Sequence, residues 1–137
     1  MEKGVTLGSK IIAIDFDGCI CKNAWPNIGM PNWNVINQAK AEQKNGAKLI
    51  LWTCREGERL TEAINACGSW GLTFDAVNDN LENTKAEWGN NPRKVAATEY
   101  WDDRAIKMDK SFIPPSADKK ITRQKLTGLQ RSRKKDE

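Results

Sequence analysis

The tightest constraint in this chain is the run Ile11-Ile12-Ala13-Ile14, which passes without a polar break into Asp15-Phe16-Asp17-Gly18. A short apolar run closed by a turn signal predicts a strand covered on both faces, as in a parallel sheet. Such a strand needs neighbours at its sides and helices above and below, which commits the chain to an α/β fold. Ligands of open α/β sheets gather outside the carboxyl ends of the strands, where Asp15 emerges. Gly18 suits a sharp turn there, because without a Cβ it takes up positive φ freely. Two acids after one strand are commonplace in solvated turns. Their meaning depends on what stands at the ends of the later strands.

Residues 22–31 contain Pro26, Gly29 and Pro31 and read as an irregular connection too short for a separate cap domain. Asn32 offers an N-cap, and Trp33, Ile36, Ala39 and Lys40 follow at helical spacing until Asn45-Gly46 ends the helix. The second apolar run, 48–53, ends on the hydroxyl of Thr53. Over 58–70, Leu60, Ala63, Ile64 and Cys67 form an i, i+3, i+4, i+7 stripe, with Gly71 placed as the C′ residue. A short third strand is predicted over 74–77, then a polar loop over 78–92 with one helical turn near 84–88. A fourth strand over 95–101 closes on Asp102-Asp103-Arg104, and a short last element is expected over 106–113. Alternating strand and helix signals predict right-handed βαβ units and a three-layer, Rossmann-like parallel sheet flanked by helices.

The chain has 137 residues, enough for one domain with a real core. Its net charge of +4 is unevenly placed. Residues 118–137 carry eight Lys/Arg against three acids, so residues 1–117 are net −1. The expected division is therefore an α/β domain over 1–117 and a basic tail over 118–137. Charge runs of this kind are usually solvated; the functional reading is weak contact with nucleic acid. No apolar run approaches the ~18 residues that span a bilayer, and the first residues lack a secretory apolar core, so no membrane partner and a cytoplasmic location are expected. Cys19, Cys21, Cys54 and Cys67 lack zinc spacing and are expected to be free thiols. The chain has no histidine, which excludes Ser-His-Asp and Cys-His catalysis.

The chemical residues fall on this scaffold in order. Asp15 and Asp17 follow strand one, Thr53 ends strand two, Lys94 precedes strand four, and Asp102-Asp103 follow it. Four carboxylates on one sheet edge repel one another unless a cation sits among them, and an all-oxygen set suits Mg²⁺. With a hydroxyl from Thr53 and an ammonium from Lys94, these groups describe a phosphoryl-transfer site. Arg55 is a candidate substrate contact, or a salt-bridge partner at a helix start. Of the tryptophans, Trp52 and Trp101 are expected in the core, with Trp25 and Trp88 in loops near the site.

The segments Asp15-Phe16-Asp17-Gly18, Thr53 after an apolar strand, Lys94, and Asp102-Asp103 resemble the four motifs of haloacid-dehalogenase-like (HAD) phosphohydrolases, over residues 11–107. The stretches Leu51-Trp52-Thr53-Cys54-Arg55-Glu56-Gly57 and Asp102-Asp103-Arg104-Ala105 are similar to small capless members of that superfamily. The resemblance implies a HAD-like core without a substantial cap. It implies Asp15 as the nucleophile that forms an aspartyl-phosphate. Asp17 would protonate the leaving oxygen and later deprotonate the hydrolytic water. Thr53 and Lys94 would bind the phosphoryl group, and Asp15, Asp17, Asp102 and Asp103 would hold Mg²⁺, Asp17 through its backbone carbonyl. Cys19 stands where the superfamily often has Thr or Val. The implied activity is Mg²⁺-dependent hydrolysis of a small phosphomonoester. The alternatives are the same chemistry on nucleic-acid ends, recruited by the basic tail, and a non-catalytic phosphate- or Mg²⁺-binding module.

Overall fold

The computed structural model describes residues 10–112. The N-terminal stretch read for a leader and the basic tail over 118–137 lie outside the described residues. Four strands, β1 (Ile11–Ile14), β2 (Lys48–Leu51), β3 (Ala76–Val77) and β4 (Glu99–Trp101), pair in parallel in the order β3-β2-β1-β4. Three helices connect them: α1 (Trp33–Lys44), α2 (Gly57–Ser69) and α3 (Glu82–Trp88). The architecture is the α/β, Rossmann-like parallel sheet flanked by helices that the alternation predicts. The chain divides after Ala105, and all of these elements precede that point. Residues 106–112 form no helix or strand, where a short element was expected. Among the described residues no helix is long and apolar enough to cross a membrane.

Alternation along β1 divides the core in two. Ile12 and Ile14 join Leu49 and Leu51 on the face covered by Ile36 and Ala39 of α1 and Ala63 and Cys67 of α2. Ala13 joins Ile50 and Val95 on the other face, with Trp52, Leu81 and Ala97 packed around them. Having helices on both faces is why every position of β1 is apolar. Asn32 caps α1 through its side chain, which accepts from the Val35 N–H.

Three strands are shorter than predicted because side chains take the place of ladder partners. Leu49 N–H donates to the Asp75 carboxylate at 2.8 Å, so β3 begins only at Ala76. The Ala96 N–H is spent on Asn80 Oδ1 at 2.6 Å, and Thr98 Oγ1 exchanges bonds with the Ile11 backbone, so β4 begins at Glu99. Beyond Leu51, the Thr53 N–H turns to Asn78 Oδ1 at 2.8 Å. What stays in register is the far end of the sheet. Ile14 pairs with both Leu51 and Trp101, and Leu51 pairs with Val77, so all four strands end in one row.

Candidate functional site

Because the strands end together, the next residue of each stands on the same edge: Asp15, Trp52, Asn78 and Asp102. The ladder holds this row, with Asp15 N–H donating to Trp101 O at 2.9 Å, Trp52 N–H to Ile14 O at 2.9 Å and Asn78 N–H to Leu51 O at 2.7 Å. Carboxylate oxygens of Asp15, Asp102 and Asp103 lie within 4.8 Å of one another there. Asp15 is half-buried, and the other two are exposed. Gly18 makes this gathering feasible. Its φ is +89°, and a Cβ there would lie 2.6 Å from Asp103 Oδ2, so the Asp103 carboxylate rests where any side chain at 18 would stand.

The cluster is electrostatically unbalanced. Burial, then the Asp102 carboxylate, push the Asp15 carboxyl up to about 6, with Asp103 and Asp17 adding to the rise and the Phe16 N–H opposing it. None of these contributions comes from a lysine or arginine. Three carboxylates this close, all offering oxygen ligands at the strand edge, fit a hard divalent cation such as Mg²⁺. Cys19 adds nothing nucleophilic: burial pushes its thiol up to about 12, and Sγ donates to Trp101 O at 3.6 Å. All four cysteines are free, as expected.

Asp17 stands apart from the three. Its two oxygens accept from Arg55, Oδ2 from Nε and Oδ1 from Nη2, both at 2.8 Å. The remaining guanidinium hydrogens go to the carbonyls of Pro26 (3.2 Å), Arg59 (3.4 Å) and Asn27 (2.8 Å). The guanidinium also lies between the rings of Phe16 and Trp25, 5.1 and 4.9 Å from their centroids. Arg55 is 1 % exposed, and its charged form is favoured chiefly by the hydrogen bonds to Asp17. All five donors of the fork are thereby used. Arg55 is therefore not a substrate contact but the partner of Asp17 and the tie that holds 22–31 against the site. The Asp17 carboxylate, correspondingly, is not a member of the acidic cluster.

The other expected residues divide. Thr53 is on the same edge, its Oγ1 accepting from Arg55 N–H at 3.1 Å. Lys94 lies 5.4 Å over the Tyr100 ring, and among the described residues no hydrogen bond or ion pair joins it to the cluster. Lys85, in the polar stretch before Lys94, is held by Asp79 at 2.8 Å and Glu82 at 2.9 Å. Arg104 meets the site through its backbone N–H, which donates to Asp102 Oδ1 at 2.9 Å, rather than by an ion pair. Trp52 and Trp101 are packed against the two core clusters as expected. Trp25 is exposed beside Arg55. Trp88 is not near the site: it lines a groove of about 640 Å³ with Ile11, Lys48 and Thr98, at the opposite ends of the strands. Asn78 went unread in the sequence. It takes φ of +50° after β3 and anchors the Thr53 backbone; a lone Asn following a short apolar run was its signal.

A solved structure of a conserved protein from Bacteroides thetaiotaomicron is 34 % identical to this chain, covering 89 % of this chain and 93 % of its own, with a TM-score of 0.63. The two proteins belong to one family. That relative shares the fold over nearly the whole length of both chains. A D-alanine–D-alanine ligase from Idiomarina loihiensis is 33 % identical over 69 residues, a match to 42 % of this chain and 22 % of the ligase. The chain thus spans about a fifth of that enzyme's length. No family model matches the chain.

Proposed function

We propose that the protein is a Mg²⁺-dependent phosphohydrolase of the HAD type, acting on a small phosphorylated substrate through an aspartyl-phosphate on Asp15. The observation that carries this reading is the gathering of Asp15, Asp102 and Asp103 within 4.8 Å at the carboxyl edge of a parallel sheet. The Asp15 carboxyl, raised first by burial and then by the Asp102 carboxylate, is in keeping with it, since a bound cation would offset the second of these. Asp15, Asp102 and Asp103, with the backbone carbonyl of Asp17, would hold Mg²⁺, which supplies charge neutralisation and Lewis acidity at the phosphoryl oxygens.

Asp15 opens the exposed edge of the cluster as an oxygen nucleophile at the end of β1. Thr53, fixed through Asn78 and the Arg55 backbone, offers its O–H to a phosphoryl oxygen. Asp17, two residues on, retains a second lone pair on each oxygen and can take the proton of the water that hydrolyses the aspartyl-phosphate. Nucleic-acid ends as substrates remain a reading of the basic tail's sequence alone.

The test is release of inorganic phosphate from a panel of phosphate esters and anhydrides with and without Mg²⁺, repeated on Asp15→Asn. Mg²⁺-dependent release that disappears in a folded Asp15→Asn protein is the expected result. Undiminished hydrolysis by that variant would refute the mechanism.

A further inference from the structure

Shortly after Asp17 the chain runs out over 22–30 and doubles back. Cys21 bridges Pro31, the Lys22 N–H donates to Met30 O at 2.8 Å, and Ala24 bridges Asn27 at the turn. The two limbs lie so close that a Cβ on Gly29 would collide with Lys22 O. Arg55 pins the turn to the site, donating to the carbonyls of Pro26 and Asn27 while it holds Asp17. At this turn stands Trp25. Its indole is 58 % exposed, although the Arg55 guanidinium rests on it 4.9 Å from the ring centroid. Covering Arg55 takes one face of the ring, and the exposure falls on the other. A lone exposed aromatic on the surface needs no explanation. This one differs in being fixed by the pinned loop, a single guanidinium away from the Asp17 carboxylate. An aromatic face held in place beforehand is a stacking platform whose ordering cost is already met.

Three features say what that face would take. The ring already serves one cation from beneath, so its open face is a poor seat for a second and a good one for a neutral planar group. The exposed side chains beside it are amides, Asn23 and Asn27. Asn23 Oδ1 accepts the Trp25 N–H at 3.1 Å, and among the described hydrogen bonds neither amide nitrogen donates, which leaves both for the polar edge of a heterocycle. The indole is set off from Asp17 by the guanidinium, so the planar group must be joined to the phosphate through a spacer, as a base is through its sugar. Resting on the phosphohydrolase reading, we propose that the substrates are nucleoside monophosphates, with the base stacked on the open face of Trp25 and the phosphate at Asp15. An Asp15 oxygen bonds to phosphorus as the bond to the ester oxygen breaks. That oxygen leaves with the electron pair and takes a proton from the free lone-pair position of Asp17. Water then attacks the aspartyl-phosphate, returns a proton to Asp17 and releases phosphate and the Asp15 carboxylate.

The test is kcat/KM of the full chain, at saturating Mg²⁺, on adenosine 5′-monophosphate and ribose 5-phosphate, with p-nitrophenyl phosphate as a third ester. The first two share a leaving oxygen and differ in the base. Stacking of the base predicts a preference for the nucleotide of roughly tenfold to 100-fold in the wild-type protein. Trp25→Leu should bring the ratio of the two kcat/KM values to within about threefold of one, through a higher KM for the nucleotide, and Trp25→Phe should keep most of it. The ratio is the readout because a loss of cover over Arg55 lowers both values alike. A wild-type preference below about threefold, or one that survives Trp25→Leu, overturns the inference, and Mg²⁺-dependent turnover of any of the three esters then leaves the phosphohydrolase reading standing. Absence of Mg²⁺-dependent turnover on all three overturns both.

Discussion

Replacing Arg55 by Met is the sharpest test of how the site is held together. Methionine keeps a flexible apolar filling between Phe16 and Trp25 but removes the charge and all five hydrogen bonds. What remains is a carboxylate at Asp17 whose side chain is only 19 % exposed. Removing one partner of a buried pair costs about 3–5 kcal/mol, mostly through the charge left behind. Because some water reaches Asp17 and the loop carbonyls, the lower part of that range, about 3 kcal/mol, is the expectation. Against a total stability of about 5–15 kcal/mol, this is a large fraction of what a domain of this size has. Guanidinium unfolding should show the loss as a lower midpoint with an unchanged m-value. Arg55→Lys, which keeps the charge but not the two-pronged fork, should fall between the two. A double-mutant cycle with Asp17→Asn should return a coupling of about 2 kcal/mol. A destabilisation below about 1 kcal/mol with no coupling would mean that the pair behaves like an exposed salt bridge, and the reasoning from burial would fail.

Gly18→Ala should push Asp103 out of the cluster and strain a backbone at φ +89°, lowering Mg²⁺ affinity by about tenfold or more in calorimetric titration and stability by about 1–2 kcal/mol. In metal-free protein the Asp15 carboxyl, raised to about 6 by burial and Asp102, binds a proton more readily folded than unfolded, so its effect on stability worsens as pH rises from about 4 through about 6. Asp15→Asn should therefore melt above wild type at pH 7 without Mg²⁺, with the difference closing toward pH 4; a difference independent of pH would contradict this. Lys94→Met should raise KM for the phosphorylated substrate and leave Mg²⁺ affinity unchanged; an unaltered KM would leave Lys94 as a partner of Tyr100 alone. Deleting 118–137 should leave kcat/KM unchanged on both a small phosphate and a phosphorylated oligonucleotide, and a salt-sensitive loss confined to the oligonucleotide would instead favour recruitment through the tail.

The elements that specify the sheet were legible because each is written locally. Four apolar positions running into Asp15, the Asn32 cap, and Leu60, Ala63 and Cys67 of the α2 stripe read correctly from neighbours in sequence, whereas Ile64, read into the same stripe, is exposed. The misplaced strand starts have one physical cause. Asp75, Asn80 and Thr98 spend side-chain oxygens on backbone N–H groups that the pattern assigned to the ladder, and no periodicity distinguishes a backbone acceptor from a side-chain one. The meeting of Asp15 with Asp102 and Asp103 followed from parallel strands ending in register. The Arg55–Asp17 pair did not, since it joins residues 38 apart and is fixed by carbonyls of an irregular segment.

That pair also changes what the acidic edge requires. Counted from sequence, the edge holds four carboxylates near two arginines, Arg55 and Arg104, which could be spread among them. In the structure Arg55 spends its donors on Asp17 and three carbonyls, Arg104 reaches Asp102 through its backbone N–H, and among the described residues no cationic side chain is hydrogen-bonded to Asp15, Asp102 or Asp103. One divalent cation would leave such a trio still net negative, facing a phosphoryl group that is itself an anion. Thr53 can offer a dipole but no charge. On the proposed phosphohydrolase reading, Lys94 would be the residue left to offset the substrate's charge. Tyr100, whose ring Lys94 covers, pairs in register with Ala13, two residues before Asp15 on β1. A cation held only by an aromatic face is held weakly, by about 0.5–1 kcal/mol where exposed. On that reading an arriving phosphate would need to supply little to draw it off, whereas five hydrogen bonds hold Arg55 in place. The two cations thus differ in kind: Arg55 is locked by five hydrogen bonds, two of them to Asp17, and Lys94 lies over an aromatic face.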